Sequence, residues 1–348
     1  MSDSIRILSI DGGGIRGIIP AIVIQALLGD ERKAQDAFHI IAGTSTGGII
    51  ACGLAKPNPM GIQDIIDLYV DHGSEIFKKG PIDLLHYIHG PRYAATALEN
   101  YLAEKFGQTY LSEVKDVELL VPSYAIGLPE NKPPASMFFR SWQSKGLLLG
   151  EGARHDEYDF ELAAIARATS AAPTYFPPAT IMNRAKQPFT MIDGGVFANN
   201  PTMCAIVEAY HLYHSRNFMV VSLGTGSEPI RIDAAAACNW GDISWAMPMM
   251  SIFQDGNSQS VAFEIDELLG DNHWRLDISL TTATPEGESV DPSMDDASPA
   301  NVRALRDKAR QLIDAERGRI EALAKVLAEP KASVQPRGSL PKKGFLAM

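Results

Sequence analysis

Four times in this chain a short apolar run of strand length stops abruptly at glycine. Ile5-Arg6-Ile7-Leu8-Ser9-Ile10 runs into Asp11-Gly12-Gly13-Gly14, and Phe38-His39-Ile40-Ile41-Ala42 runs into Gly43-Thr44-Ser45-Thr46-Gly47. Phe189-Thr190-Met191-Ile192 runs into Asp193-Gly194-Gly195, and Phe218-Met219-Val220-Val221-Ser222-Leu223 runs into Gly224-Thr225-Gly226. The β-branched content reads as strand. The stretches that follow the first three, at 18–28, 49–54 and 202–211, read as helix. Strand, glycine turn and helix in alternation predict an α/β fold, with a central, mostly parallel sheet flanked by helices. Ligand sites in such sheets form outside the carboxyl ends of the strands. Asp11, Ser45, Asp193 and Gly224 all stand at strand ends on this reading.

A chain of 348 residues, 45% of them hydrophobic, can build one large domain or two ordinary ones. One domain over residues 1–330 is expected. Its motifs lie in 5–226, a helical part in 227–330, and a flexible tail or arm in 331–348. Lys and Arg number 31 against 42 Asp and Glu, a net charge of −11, which argues against a partner that is a nucleic-acid polymer. Cys52, Cys204 and Cys238 are far apart and form no C-x-x-C. Neither a disulfide framework nor a cysteine zinc site is expected, and a reducing compartment fits. No basic-then-apolar leader is seen, and no stretch reaches ~18 apolar residues. The expectation is a cytoplasmic protein that touches membranes peripherally.

Between the motifs, Ile62, Ile65, Ile66 and Tyr69 recur at helical spacing. Residues 74–93 read as a helix-loop-helix packed on the core, with a mobile lid as the sharper alternative. Strands are expected over 117–125 and 136–141. A helix from Phe160 leads into Ser170-Ala171-Ala172-Pro173-Thr174-Tyr175-Phe176-Pro177, a close-packed corner. The Trp- and Met-rich segment 239–254 reads as core by default, or as an adaptable apolar surface. Residues 300–327 read as one long amphipathic helix ended by Pro330.

The glycine loop supports two chemistries. Gly12, Gly14 and Gly17 match G-x-G-x-x-G, a dinucleotide fingerprint. Alternatively the amides of Gly13 and Gly14, at a helix start, form an oxyanion hole. Asp11 beside the first glycine repels a pyrophosphate, and the second strand ends at Ser45 with no acid for a ribose. No Lys-Ser/Thr follows the glycines, so this is not a P-loop. Gly43-Thr44-Ser45-Thr46-Gly47 has the form of a nucleophile elbow, in which a strained turn exposes a serine hydroxyl. Such a serine needs a base. His273 is the only histidine placed late enough for the usual triad order, and no glycine-framed loop surrounds it; His39 sits on the entering strand and packs. No metal-ligand spacing occurs. Asp193 is the better base, although a carboxylate of solution pKa ~3.9 is weak and requires proton transfer concerted with attack. By itself Asp193-Gly194 also fits a plain Asx-turn.

Taken together, Asp11-Gly12-Gly13-Gly14-Ile15-Arg16-Gly17, Gly43-Thr44-Ser45-Thr46-Gly47, residues 168–177, Asp193-Gly194-Gly195 and Ser222-Leu223-Gly224-Thr225-Gly226 resemble, in order and spacing, the patatin-like phospholipases. The resemblance implies a three-layer patatin-like fold and a serine lipid acyl hydrolase of the phospholipase A type. It implies a Ser45/Asp193 dyad without histidine, metal or cofactor. Gly12, Gly13 and Gly14 would supply the oxyanion hole, and Arg16 would hold that loop. The family pattern often has Gly-Ala where this chain has Gly194-Gly195, a variant also typical of the family. Membrane phospholipids are the implied partners. Beyond Gly226 the resemblance is weaker. Some compact bacterial members of similar size are anti-phage effectors switched on by cyclic nucleotides, which adds a cyclic nucleotide activator to the implied partners; a homo-oligomer is a further expectation. Two rival readings stay open here: a nucleotide-binding protein using the Gly12–Gly17 loop, and a catalytically silent lipid-binding protein of the same fold.

Overall fold

A computed structural model of the chain describes residues 4–78, 90–227, 232–284 and 289–337. Its frame is an eight-stranded sheet: β1 (Ile5–Ile10), β2 (Ile40–Gly43), β3 (Glu118–Gly127), β4 (Ala135–Arg140), β5 (Ala179–Met182), β6 (Pro188–Asp193), β7 (Phe218–Leu223) and β8 (His273–Leu276). The path order is β5-β6-β3-β2-β1-β7-β8, with β4 also pairing β3. Pairs among β3, β2, β1, β7 and β8 are parallel, while β4, β5 and β6 join antiparallel. The sheet is therefore mixed, with a parallel centre that carries the glycine-ended strands.

Alternation along β1 shows how the strands divide the core. Leu8 and Ile10 face the larger hydrophobic cluster; Ile5 and Ile7 face a second one on the opposite side. Such two-sided burial is what near-continuous apolar strands demand. The larger side is covered by α1 (Ile18–Leu28), α2 (Thr46–Ala55), α3 (Ile62–Asp71), α4 (Thr96–Phe106) and α5 (Leu162–Thr169). The opposite side is covered by α6 (Thr202–Tyr213) and α7 (Asp242–Leu269). The expected helix over 300–327 is two: α8 (Pro299–Ala315) and α9 (Arg317–Ala328). Non-helical backbone at Glu316 (φ −102, ψ 17) separates them, so that both halves pack along α1.

Residues 239–254 do not simply join the core. They run into α7, where Met249 is 40% and Phe253 55% exposed, while Gln254 is buried. The helix-loop-helix expectation falls largely on residues 79–89, outside the described residues. Within the expected tail, residues 331–337 lie against the body. Lys331 Nζ donates to the Phe38 carbonyl at 2.8 Å, and the Arg337 amide donates to Leu212 O at 2.8 Å. Among the described residues no helix is long and apolar enough to cross a membrane.

The register sets the site. Ile10 lies opposite both Gly43 and Leu223, and Leu223 lies opposite Leu276. Four adjacent parallel strands thus end at one level. Asp193 reaches that level from the other direction. It closes β6, which runs antiparallel to β3 and pairs Asp193 with Ser123. Because β3 continues well past the end of β2, a strand arriving the opposite way can still stop beside the turn that holds Ser45.

Candidate active site

Ser45 is in a left-handed conformation (φ 54, ψ −122) between β2 and α2. A non-glycine residue held there stores strain that the surrounding packing must impose. The packing is backbone on backbone. A β-carbon at Gly43 would stand 2.0 Å from Gly47 O, and one at Gly47 would stand 2.2 Å from Ile10 O. These glycines let the chain pass through itself tightly enough to push the serine outward. The turn is tied from outside as well. The Ser45 amide donates to Thr169 Oγ1 at 3.0 Å, Thr169 Oγ1 donates to Pro122 O at 2.6 Å, and Thr44 Oγ1 donates to Ala198 O at 2.7 Å.

Ser45 Oγ donates to Asp193 Oδ2 at 2.7 Å. Asp193 is 1% exposed. Its other oxygen, Oδ1, accepts the Gly195 amide at 2.7 Å. The Asx-turn and the serine contact therefore coexist, one oxygen each. The Asp193 amide donates to Ala171 O at 3.0 Å and that of Gly194 to Thr169 O at 3.3 Å, so residues 169–171 brace both partners. Burial pushes the Asp193 carboxyl up to about 7; the Gly195 amide and the Ser45 hydroxyl oppose that shift. This corrects the expectation of a weak solution-like base. A desolvated carboxylate titrating near neutrality is a far better proton acceptor.

The glycine loop lies across from this pair. Gly14 has φ +58, and a β-carbon there would meet Met294 O at 2.1 Å; one at Gly13 would meet Thr225 Oγ1 at 2.2 Å. Thr225 Oγ1 donates to Gly12 O at 2.9 Å, and the Ile15 amide donates to Met294 O at 2.9 Å. Arg16 Nε lies 3.4 Å from Gly13 O, in keeping with a loop-holding part. Gly12 departs from expectation. Its amide donates to Asn199 O at 3.0 Å, so it is not available to an incoming oxyanion. Among the described residues the amides of Gly13 and Gly14 have no acceptor, and both line the cavity that holds Ser45.

Asp11 is fixed by a side chain that sequence reading missed. Arg275 Nη2 donates to Asp11 Oδ2 at 2.8 Å and to Asp277 Oδ2 at 3.0 Å, and Nη1 donates to Ser222 Oγ at 2.9 Å. Burial raises the Asp11 carboxyl to about 6 even with Arg275 lowering it. His273, the late histidine, pairs with Asp266 at 2.6 Å instead of Ser45. His39 accepts the Arg6 amide on Nδ1 at 2.9 Å, which leaves Nε2–H to donate to Ala332 O at 2.9 Å.

The cavity in front of Ser45 has about 60 Å³ of free space. Its walls are chiefly apolar, with Ile49, Leu68, Ile76, Phe77 and Phe176 prominent. Phe77, Tyr93 and Phe176 pack in edge-to-face and tilted arrangements with ring centroids 5.5–5.9 Å apart. Among the described residues no His, Cys, Asp or Glu group is placed to hold a metal ion.

A family model for patatin-like phospholipases matches residues 8–206. A patatin-like protein 2 from Arabidopsis thaliana is 31% identical over 332 residues, covering 82% of this chain and 78% of its own. A potato protein (Solanum tuberosum) described as probable inactive patatin-3-Kuras 1 is 28% identical, over 90% of this chain and 87% of its own. Human GIVD cytosolic phospholipase A2 superposes with a TM-score of 0.49 at 11% identity, over 94% of this chain and 61% of that one.

Proposed function

Because the chain belongs to the patatin-like phospholipase family, we propose that it is a lipid acyl hydrolase of the phospholipase A type that works through Ser45 and Asp193. The observation that carries this reading is the 2.7 Å hydrogen bond from Ser45 Oγ to a buried Asp193, opening onto an apolar cavity. Ser45 Oγ attacks the ester carbonyl carbon as its proton passes to Asp193. The carbonyl oxygen becomes an oxyanion and takes the amides of Gly13 and Gly14; one such donor contributes about 3 kcal/mol. The start of α2 beneath Ser45 adds a favourable dipole. Collapse of the intermediate breaks the bond to the alcohol oxygen, which leaves with the proton from Asp193. Water then attacks the acyl-enzyme by the same route and releases the fatty acid.

Two features favour this over nucleotide binding: the glycine loop shares its cavity with Ser45, and the cavity walls are apolar. Family membership alone does not decide turnover, since one relative is described as inactive. The test is hydrolysis of a p-nitrophenyl ester and of phosphatidylcholine vesicles by wild type and Ser45→Ala, with fluorophosphonate labelling alongside. Activity and labelling should both vanish in the variant. Hydrolysis that survives it, or a wild type that neither labels nor turns over, would sink the reading.

A further inference from the structure

α7 lies along the loop after Asp193 and presents polar side chains to it from one face. Asn257 Oδ1 accepts the Asn200 amide at 3.0 Å, and its Nδ2 donates to Phe197 O at 3.2 Å. Ser258 Oγ accepts from Asn199 Nδ2 at 3.0 Å. Gln254 stands one turn earlier on that face. It is 9% exposed and lines the cavity with Ser45 and Asp193. Unlike Asn257 and Ser258, it has no hydrogen-bond partner among the described residues. Its carboxamide is left facing the cavity, and no hydrogen bond among the described residues depends on it.

Position 195 points the same way. A β-carbon there would stand 3.0 Å from Gln254 Nε2 and 3.1 Å from Asp193 Oδ1. At that spacing the amide, the Asp193 carboxylate or Asn199 would have to give by a few tenths of an ångström. Glycine leaves room for the amide near the carboxylate.

Its place beside Asp193 identifies what it meets. In the acylation step the proton taken from Ser45 passes from Asp193 to the departing alcohol oxygen, so the alcohol half of the ester must lie against Asp193. The acyl half has the apolar walls. We infer that Gln254 is a substrate-binding residue whose carboxamide hydrogen-bonds the alcohol half of the ester, namely the oxygens of a glycerol-type leaving group. This rests on the Ser45–Asp193 reading.

The experiment compares two esters with the same eight-carbon acyl chain, dioctanoyl-phosphatidylcholine and p-nitrophenyl octanoate. The nitrophenolate leaves readily and offers no glycerol oxygens. Gln254→Met should lower the ratio of kcat/KM for phospholipid over aryl ester roughly tenfold, without lowering the melting temperature. Gln254→Asn, which draws the amide back by one methylene without deleting it, should shift the ratio the same way. A ratio within twofold of wild type in both variants overturns the assignment. Loss of both activities in Ser45→Ala tests the underlying reading separately, since it is scored on either ester alone.

Discussion

Arg275 donates to the Asp11 carboxylate at 2.8 Å across 264 residues of chain, tying the last strand of the sheet to the start of the glycine loop. Asp11 is 2% exposed, so its charge has few ways to be compensated. The same guanidinium holds Asp277, whose Oδ1 accepts the Gly226 amide at 3.0 Å. One side chain thus sets the relative position of two strand ends beside the cavity.

Arg275→Gln should destabilise the protein by about 1–2 kcal/mol at neutral pH, because Asp11, buried without its partner, takes up a proton instead of keeping its charge. The loss has a predictable pH dependence. Asp11 already titrates near 6, above its unfolded value of 3.8, and removing Arg275 raises it further. At about pH 4 the carboxyl is protonated with or without the arginine, so the deficit should shrink on acidification and be largest above about pH 6. Urea unfolding at several pH values measures it. A deficit independent of pH would place the effect elsewhere.

Hydrolysis should depend on one deprotonation near neutrality. Asp193 must be ionised to accept the Ser45 proton, and burial brings it to about 7. The kcat/KM profile for a short-chain ester should therefore rise through about pH 7 to a plateau. A midpoint near 4 would mean that the carboxylate stays solvated in the working enzyme.

Asp193→Asn should abolish turnover yet stabilise the fold under alkaline conditions. The folded carboxyl holds its proton more tightly than the unfolded one. Its contribution is therefore most favourable below the unfolded value of 3.8 and is lost as pH rises through about 7. Asparagine carries no charge to desolvate. The variant's advantage should reach a few kcal/mol at about pH 8 and fade toward pH 4, as read from melting temperatures.

Gly14→Ala combines a strained φ of +58 with a β-carbon 2.1 Å from Met294 O. It should cost more than about 2 kcal/mol and lower kcat steeply, since the loop must move. Gly29→Ala is the control: φ is +69 but nothing lies within 4 Å. That change should cost about 1–3 kcal/mol through backbone strain alone (φ 69, ψ −178) and leave turnover unaltered.

Much of the site was legible in the chain because its parts obey local rules. A strand that must end in a sharp turn needs glycine, and a serine or aspartate at that turn is exposed by the backbone itself. Ser45, Asp193, Gly13 and Gly14 were readable for that reason. Arg275, Met294 and Gln254 were not. They act through side chains or carbonyls that cross the fold from unpatterned stretches, and an arginine in a strand or a glutamine in a helix carries no local sign of what it faces. The bend at Glu316 escaped for a similar reason: it follows the surface of α1 more than any helix-breaking residue.

By itself, then, the sequence determined the α/β class and the strand-end motifs, since each follows from backbone constraints within a few residues; the pairing of Ser45 with Asp193 came from the family resemblance those motifs carry. Only the tertiary structure decided that Asp193 arrives on an antiparallel strand, that Gly12 spends its amide on Asn199, and that Asp193 titrates near 7. Register, donor occupancy and desolvation are properties of neighbours in space, and a linear chain does not display them.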